Sequence, residues 1–241
     1  MRARKNRSMT KKPKGTRAGP ISDGLKNDRQ ELDRAALLAA ALPHVAFDGW
    51  SLKVMRAAAD AAGLDHGRMR LAFPDGVADM VDYFCADGDR RMRAELSRTD
   101  LSKVKVRDRI TLAVRTRIEV DAAHREAVRR AGTFMALPPH GAMAARALYR
   151  TVDAMWRAVG DVSTDFNFYT KRAMLAGVYM ATLLFWLGDE TQDREASWAF
   201  LDRRIGDVMQ FEKAKAGVQK LVKRLPDPLG LLGRLRYPRP N

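Results

Sequence analysis

Four histidines, one cysteine and one closely spaced acid–imidazole pair are the side chains of this 241-residue chain that invite a chemical reading. His44, His66, His124 and His140 are scattered without metal-ligand spacing. The nearest approach to a metal motif is Asp121-Ala-Ala-His124. Its i, i+3 spacing would put both side chains on one helix face. A carboxylate-bridged two-iron bundle needs such a pair twice, plus two further inward glutamates. The chain has one pair and no Glu-x-x-His, so this pair reads as a surface feature. Cys85 stands beside Tyr83 and Phe84 in an apolar helix and reads as a small core residue rather than a nucleophile. No Gly-rich phosphate loop, no G-x-S-x-G and no cysteine cluster for zinc occurs. The residue types therefore offer no constellation for bond chemistry, and the expectation is a non-enzymatic protein with neither metal nor cofactor.

The elements that would position any site are helical from about Arg29 onward. A first helix carries Leu32, Ala35, Ala36, Ala39 and Leu42 or Val45 on its expected inner face. Ser51 caps a second, with Leu52, Met55 and Ala59 inward. Gly63-Leu64 makes a tight stop before a short helix from His66 to Ala72, the outline of a helix-turn-helix. Longer helices follow over roughly 76–98, 104–121, 123–135, 139–159, 166–187 and 192–210, separated by Asp, Ser, Pro and Gly breakers. The segment Ala173 to Leu187 holds fifteen residues without a charge. A bilayer crossing needs about 20 apolar residues, so this run is too short to span one. A helix apolar all round must be buried or line an apolar cavity. Its residues Met174, Leu175, Val178, Tyr179, Leu183 and Trp186 form a broad wall. Met143, Leu148 and Met155 on the preceding helix could line the opposite side. Such a wall is ordinarily plain core.

The net charge of +15 sits at the two ends. Residues 1–29 hold ten Lys/Arg against two Asp, and residues 211–241 hold eight against two acids. The body between has 26 basic and 25 acidic side chains. Basic ends attract any polyanion, lipid headgroup or nucleic acid. Residues 1–28 are Lys, Arg, Gly, Pro and Ser with little apolar content, and read as a disordered leader. The leader is not a secretory signal, because no apolar stretch follows within the first 30 residues, and it lacks the apolar helical face of a transit peptide. The single cysteine fits a reducing compartment.

At the other end Phe211, Val218, Leu221 and Leu225 recur at helical spacing. Lys213, Lys215, Lys220, Lys223 and Arg224 occupy mostly the remaining positions. This is a basic amphipathic helix of the type that lies in a membrane interface. Docking on its own body or on a second copy is the alternative. Nucleic acid is disfavoured as a partner: residues 30–75 set five Lys/Arg against six acids, and phosphates would be repelled around Arg68 and Arg70.

The segment from Asp161 through Ser163-Thr164-Asp165-Phe166-Asn167, Tyr169-Thr170-Lys171-Arg172 and Ala173-Met174-Leu175-Ala176 resembles the ubiquinone-biosynthesis accessory lipid-binding proteins of the "Coq nine" family. Trp198, Phe200-Leu201, Arg203-Arg204 and Asp207-Val208-Met209 continue the likeness, as do Met155-Trp156 and the head sequence GWSLKVMRAAADAAGL. The resemblance covers about residues 30–210. It implies an all-α, TetR-like fold, as the layout of small head and larger helical body also suggests. The domains would be a leader (1–28), a helix-turn-helix-like head (29–75), a lipid-binding and dimerisation body (76–210) and a basic C-terminal arm (211–241). It further implies a homodimer with a pocket for an isoprenoid or phospholipid ligand, formed by the wall named above. A ring hydroxylase would be met by Asp165, Phe168 and Tyr169, with Met155 and Trp156 close by. Phe168 stands where relatives often carry Trp, which keeps the aromatic face and loses the indole N–H. Phe166, Phe168 and Tyr169 cannot all face inward on one helix, so at least one aromatic should be exposed. The expected role is a non-catalytic carrier, cytoplasmic and peripheral at the inner membrane (on the matrix side in a eukaryote). It would present a quinone precursor to the hydroxylase. A TetR-type DNA-binding regulator is the alternative.

Overall fold

The computed structural model describes residues 20–160 and 166–224, without the side chains of 20–26, 166–168, 209 and 211–224. Among the described residues there is no strand. Nine α-helices follow one another: α1 Pro20–Asp48, α2 Leu52–Ala61, α3 His66–Ala72, α4 Val77–Leu96, α5 Val106–Glu119, α6 Arg125–Met135, α7 Gly141–Ala158, α8 Phe166–Gly188 and α9 Glu195–Arg224. The breakers act as expected. Ser51 caps α2, its hydroxyl accepting from the Val54 amide at 3.3 Å, and Gly63 takes φ +65 between α2 and α3.

Two expectations at the head need correction. The helix expected from Arg29 starts at Pro20, so residues 20–28, assigned to a disordered leader, are helical. Proline suits a first helical turn, where its missing N–H costs nothing. The inner face of α1 is also displaced. Leu32 is 71% exposed, Ala35, Ala36 and Ala39 are exposed, and Leu37, Leu38, Ala41 and Val45 are buried. An alanine-rich helix has a shallow preference, and the face that packs on its neighbours, carrying Leu37, Leu38, Ala41 and the expected Val45, decides its rotation. The ion pair between Asp33 and Arg68 of α3 holds that orientation, with Arg68 Nε 3.0 Å from Asp33 Oδ2. On α2, Met55 and Ala59 are buried as expected, whereas Leu52 is exposed.

The head packs α1–α3 with the start of α4 and with α6. The Trp50 indole N–H donates to the Ala127 carbonyl at 3.1 Å and ties the head to α6. A second core gathers α4, α5, α7, α8 and α9 around Met92, Ile118, Met155 and Leu201. The turn from α8 to α9 is tightly held. Arg125 Nη2 donates to the carbonyls of Trp186, Leu187 and Asp189 at 2.8–2.9 Å, placing a cation at the negative end of α8. Asp189 accepts from the amides and hydroxyls of both Thr191 and Ser197. Burial pushes the Asp189 carboxyl up, but these hydrogen bonds outweigh it and hold the group well below the usual range. Phe185 stacks on Phe200 with centroids 4.7 Å apart, joining α8 to α9. From Glu195 the last helix continues without a break past residue 210.

Candidate functional site

A cavity of about 310 Å³ lies among α4–α8. It is at the small end of the range for ligand pockets, about 300–1,000 Å³. Its origin is the small side chains that α6 and α7 turn toward α8: Ala131, Gly132, Ala136, Ala144, Ala145 and Ala147. A Cβ on Gly132 would meet nothing within 4 Å. Where large residues would interlock, these leave room. The rest of the wall is mostly apolar, with Phe84, Ile118, Val128, Met135, Leu148, Met180, Leu183 and Trp186.

Of the residues expected to bind lipid, Leu148, Tyr179, Leu183 and Trp186 line this cavity. Met155, Leu175 and Val178 are buried in the adjoining core, one helical turn or less from the wall. Met174 is half-buried on α8 away from the lining, and Met143 packs against the head core. Alanines on α6 and α7 form much of the wall instead.

One end of the cavity is polar. Arg117 is 4% exposed and reaches it from α5. Its Nε donates to Asp89 at 2.8 Å, its Nη1 to Asp121 at 2.6 Å and its Nη2 to the Cys85 carbonyl at 3.1 Å. Thr151 donates to Asp89 at 2.9 Å, and Arg91 pairs with Asp121. Arg150 approaches Asp89 at 3.5 Å and pairs with Asp82 at 3.0 Å. Burial opposes charge on Arg117, but the oxygens of Tyr179, Asp121 and Asp89 outweigh it and raise its pKa. The Cys85 thiol and the Tyr179 hydroxyl are both pushed up to about 12, chiefly by burial, so neither ionises at neutral pH. The thiol is therefore no nucleophile. Gly88 makes the network possible. A Cβ there would lie 2.6 Å from the Arg117 guanidinium, so the helix must be bare at that point.

This overturns the surface reading for Asp121, though not for the half-buried His124. Helix α5 ends at Glu119, and Asp121 turns inward, 3% exposed, to meet Arg117 and Arg91. His124 falls on a short 3-10 turn instead. Among the described residues no group of three His, Cys, Asp or Glu side chains is arranged to hold a metal ion. No described helix is long and apolar enough to cross a membrane.

The all-apolar α8 is two-faced. Leu175, Val178, Tyr179, Thr182 and Trp186 are buried, while Ala173, Gly177, Met180 and Leu184 form an exposed stripe, with Leu184 at 65%. At its start Tyr169 is 67% exposed, the outward aromatic that the spacing required. Trp156 on α7 is half-buried, its ring 5.5 Å from Nζ of Lys171 in the first turns of α8. Its indole nitrogen is buried without a hydrogen-bond partner. Met155 lies fully buried next to it. Asp165 lies outside the described residues, as does the side chain of Phe168. Of the basic arm, Phe211, Lys213, Lys215, Val218, Lys220, Leu221, Lys223 and Arg224 are described as helical backbone only, and Leu225 lies outside the described residues. On the short head helix α3, Arg68 is bound to Asp33, while Arg70 is exposed.

Comparison with known proteins places these features in a family. The COQ9 family model matches residues 141–212, which span α7, α8 and the first half of α9. The rat "Ubiquinone biosynthesis protein COQ9, mitochondrial" is 30% identical over 213 residues, covering 86% of this chain and 67% of that protein. The human protein of the same name is 30% identical over 204 residues, covering 82% and 63%. The Drosophila melanogaster protein is 29% identical over 206 residues, covering 83% and 62%. The chain thus spans about two thirds of the length of these relatives or slightly less. Among solved structures, a TetR transcriptional regulator from Nitrosomonas europaea ATCC 19718 superposes with a TM-score of 0.59 at 20% identity. It covers 72% of this chain and 95% of that one. That likeness shows an all-α, TetR-like fold and nothing of activity. Identity of this level over this length, with the family model resting on the helices of the cavity wall and aromatic patch, shows that the chain belongs to the COQ9 family.

Proposed function

We propose that this chain is a non-catalytic accessory protein of ubiquinone biosynthesis that binds an isoprenoid quinone precursor at a membrane surface and presents it to a ring hydroxylase. The observation that carries the reading is the cavity of about 310 Å³ walled by alanines, Leu148, Leu183 and Trp186. An apolar hollow of this kind takes hydrocarbon at about 0.8 kcal/mol per buried CH₂, without polar chemistry. The names of the relatives point to the pathway and to the mitochondrion; the proposal sets the chain peripherally at the inner membrane, on the cytoplasmic side or, in a eukaryote, the matrix side. Tyr169 and Trp156 supply the kind of aromatic anchors on which protein partners settle. The basic arm from Phe211 to Leu225 is the segment that would meet anionic lipid.

Native mass spectrometry of the purified full chain tests the reading: a co-purified isoprenoid or phospholipid is expected, or uptake of an added quinone. A protein that is reproducibly lipid-free and takes up no quinone would defeat it.

The exposed residues Ala173, Gly177 and Leu184 on α8, with Met180 left to the cavity mouth, suit a second copy of the chain, because small residues let two helices approach closely. Sedimentation equilibrium is then expected to give twice the 27.0 kDa chain mass. A monomer at micromolar concentration would remove the homodimer from the proposal.

A further inference from the structure

We propose that the cavity grips the oxygen-bearing end of its guest: the hydroxyl of Tyr179 donates to a neutral acceptor oxygen on a phenol or quinone ring, and the hydrocarbon runs outward past Met180. This deepens the carrier reading and rests on it.

The cavity is graded from one end to the other. Gly132, Ala136, Ala145 and Met180 are exposed and form the mouth. Arg117, Thr151 and Tyr179 are buried and form the inner wall. Most inner polar groups are already used. Each guanidinium nitrogen of Arg117 donates to an acceptor of the protein, and the Thr151 hydroxyl donates to Asp89. Tyr179 differs. It is 6% exposed and lines the cavity beside Arg117; among the described residues no hydrogen bond holds its hydroxyl, and its oxygen is not one of the polar atoms sealed away from open space. A hydroxyl that opens onto an apolar cavity wall, uncommitted to a protein acceptor, is the kind of placed polar group that orients a guest there. At neutral pH the group carries its proton and can donate it.

Charge narrows the guest further. Around the inner end, Arg90, Arg91, Arg117 and Arg150 are each paired with Asp82, Asp87, Asp89 or Asp121. No arginine there is left over as a countercharge for an anionic guest. A neutral ring oxygen fits where a fatty-acid carboxylate does not. The position is also apt. Thr151 and Tyr179 each stand four residues from Met155 and Leu175, about 6 Å along α7 and α8. The guest's ring therefore lies at the end of the cavity nearer Trp156 and the start of α8.

Calorimetric titration of the full chain and of Tyr179→Phe tests this, with thermal melts of both. Three probes are used: a benzoquinone bearing two isoprene units, an isoprenoid hydrocarbon of the same carbon count, and a ten-carbon fatty acid at neutral pH. The wild type is expected to prefer the quinone over both others. Tyr179→Phe should bind the quinone about tenfold more weakly and the hydrocarbon unchanged. Equal quinone affinity in the two proteins overturns the proposal, as does a wild-type preference for the fatty acid. A uniform loss for every probe in Tyr179→Phe would mean a collapsed cavity and overturn it too. A wild type that binds none of the three fails the carrier reading itself.

Discussion

Arg117→Met should lower the stability of the protein by about 3–5 kcal/mol, the effect expected when one partner of a buried ion pair is removed. The guanidinium holds Asp89 and Asp121 in the interior, where both carboxylates are nearly inaccessible to water. Without it they must either stay charged and unpaired or take up protons at neutral pH. For a domain of this size such a loss lowers Tm by roughly 10 °C or more. Arg117→Lys should fall between, since one ammonium cannot reach the three acceptors at 2.8, 2.6 and 3.1 Å in the same planar fork. Thermal unfolding followed by circular dichroism reads both variants. A melting point within two degrees of wild type for Arg117→Met would show that the network contributes little, and would weaken the account of Gly88 as the residue that makes room for it.

Leu183→Trp should weaken lipid binding about a hundredfold while the chain still folds. Leu183 is half-buried and lines the cavity, so the larger ring has space to enter. Displacing four methylenes of a guest costs about 3 kcal/mol, around a hundredfold in affinity. Leu148→Trp fills the same space from α7 and serves as the second variant. Lipid extraction of the purified proteins, with circular dichroism as the folding control, reads the outcome. Folded variants that carry as much lipid as wild type would place the guest elsewhere.

Much of the frame could be read before any coordinates. The breakers at Asp100-Leu101-Ser102, Pro138-Pro139, Gly160-Asp161 and Gly188-Asp189 separate helices that end within a few residues of where their spacing put them, except that α9, expected to stop near 210, runs on to Arg224. Ser51 caps as its type requires. The tightly spaced aromatics around Tyr169 do leave one outward. The rotation of α1 was not legible, because alanine fills both faces and only packing against α2, α3, α4 and α6 decides between them. The Arg117 network was hidden for a different reason. Its members come from α4, α5 and α7, and each looks in sequence like one more solvated charge. The faint signal was Gly88, a glycine in mid-helix among charged residues, which ordinarily costs about 1 kcal/mol relative to alanine and so calls for a reason. The cavity was misplaced in part on similar grounds. The large residues of α8 carry the visible apolar signal, while the hollow owes its existence to alanines and one glycine on α6 and α7, residues that leave no periodic mark.

The unbroken course of α9 has a mechanical consequence. Thirty residues of continuous helix make a strut about 45 Å long. Its first half is bolted to the body through Leu201, Ile205 and the Phe185–Phe200 stack. A grip anywhere on the outer half would therefore steer the whole molecule, as a tiller turns a hull, and so choose which way the cavity mouth points.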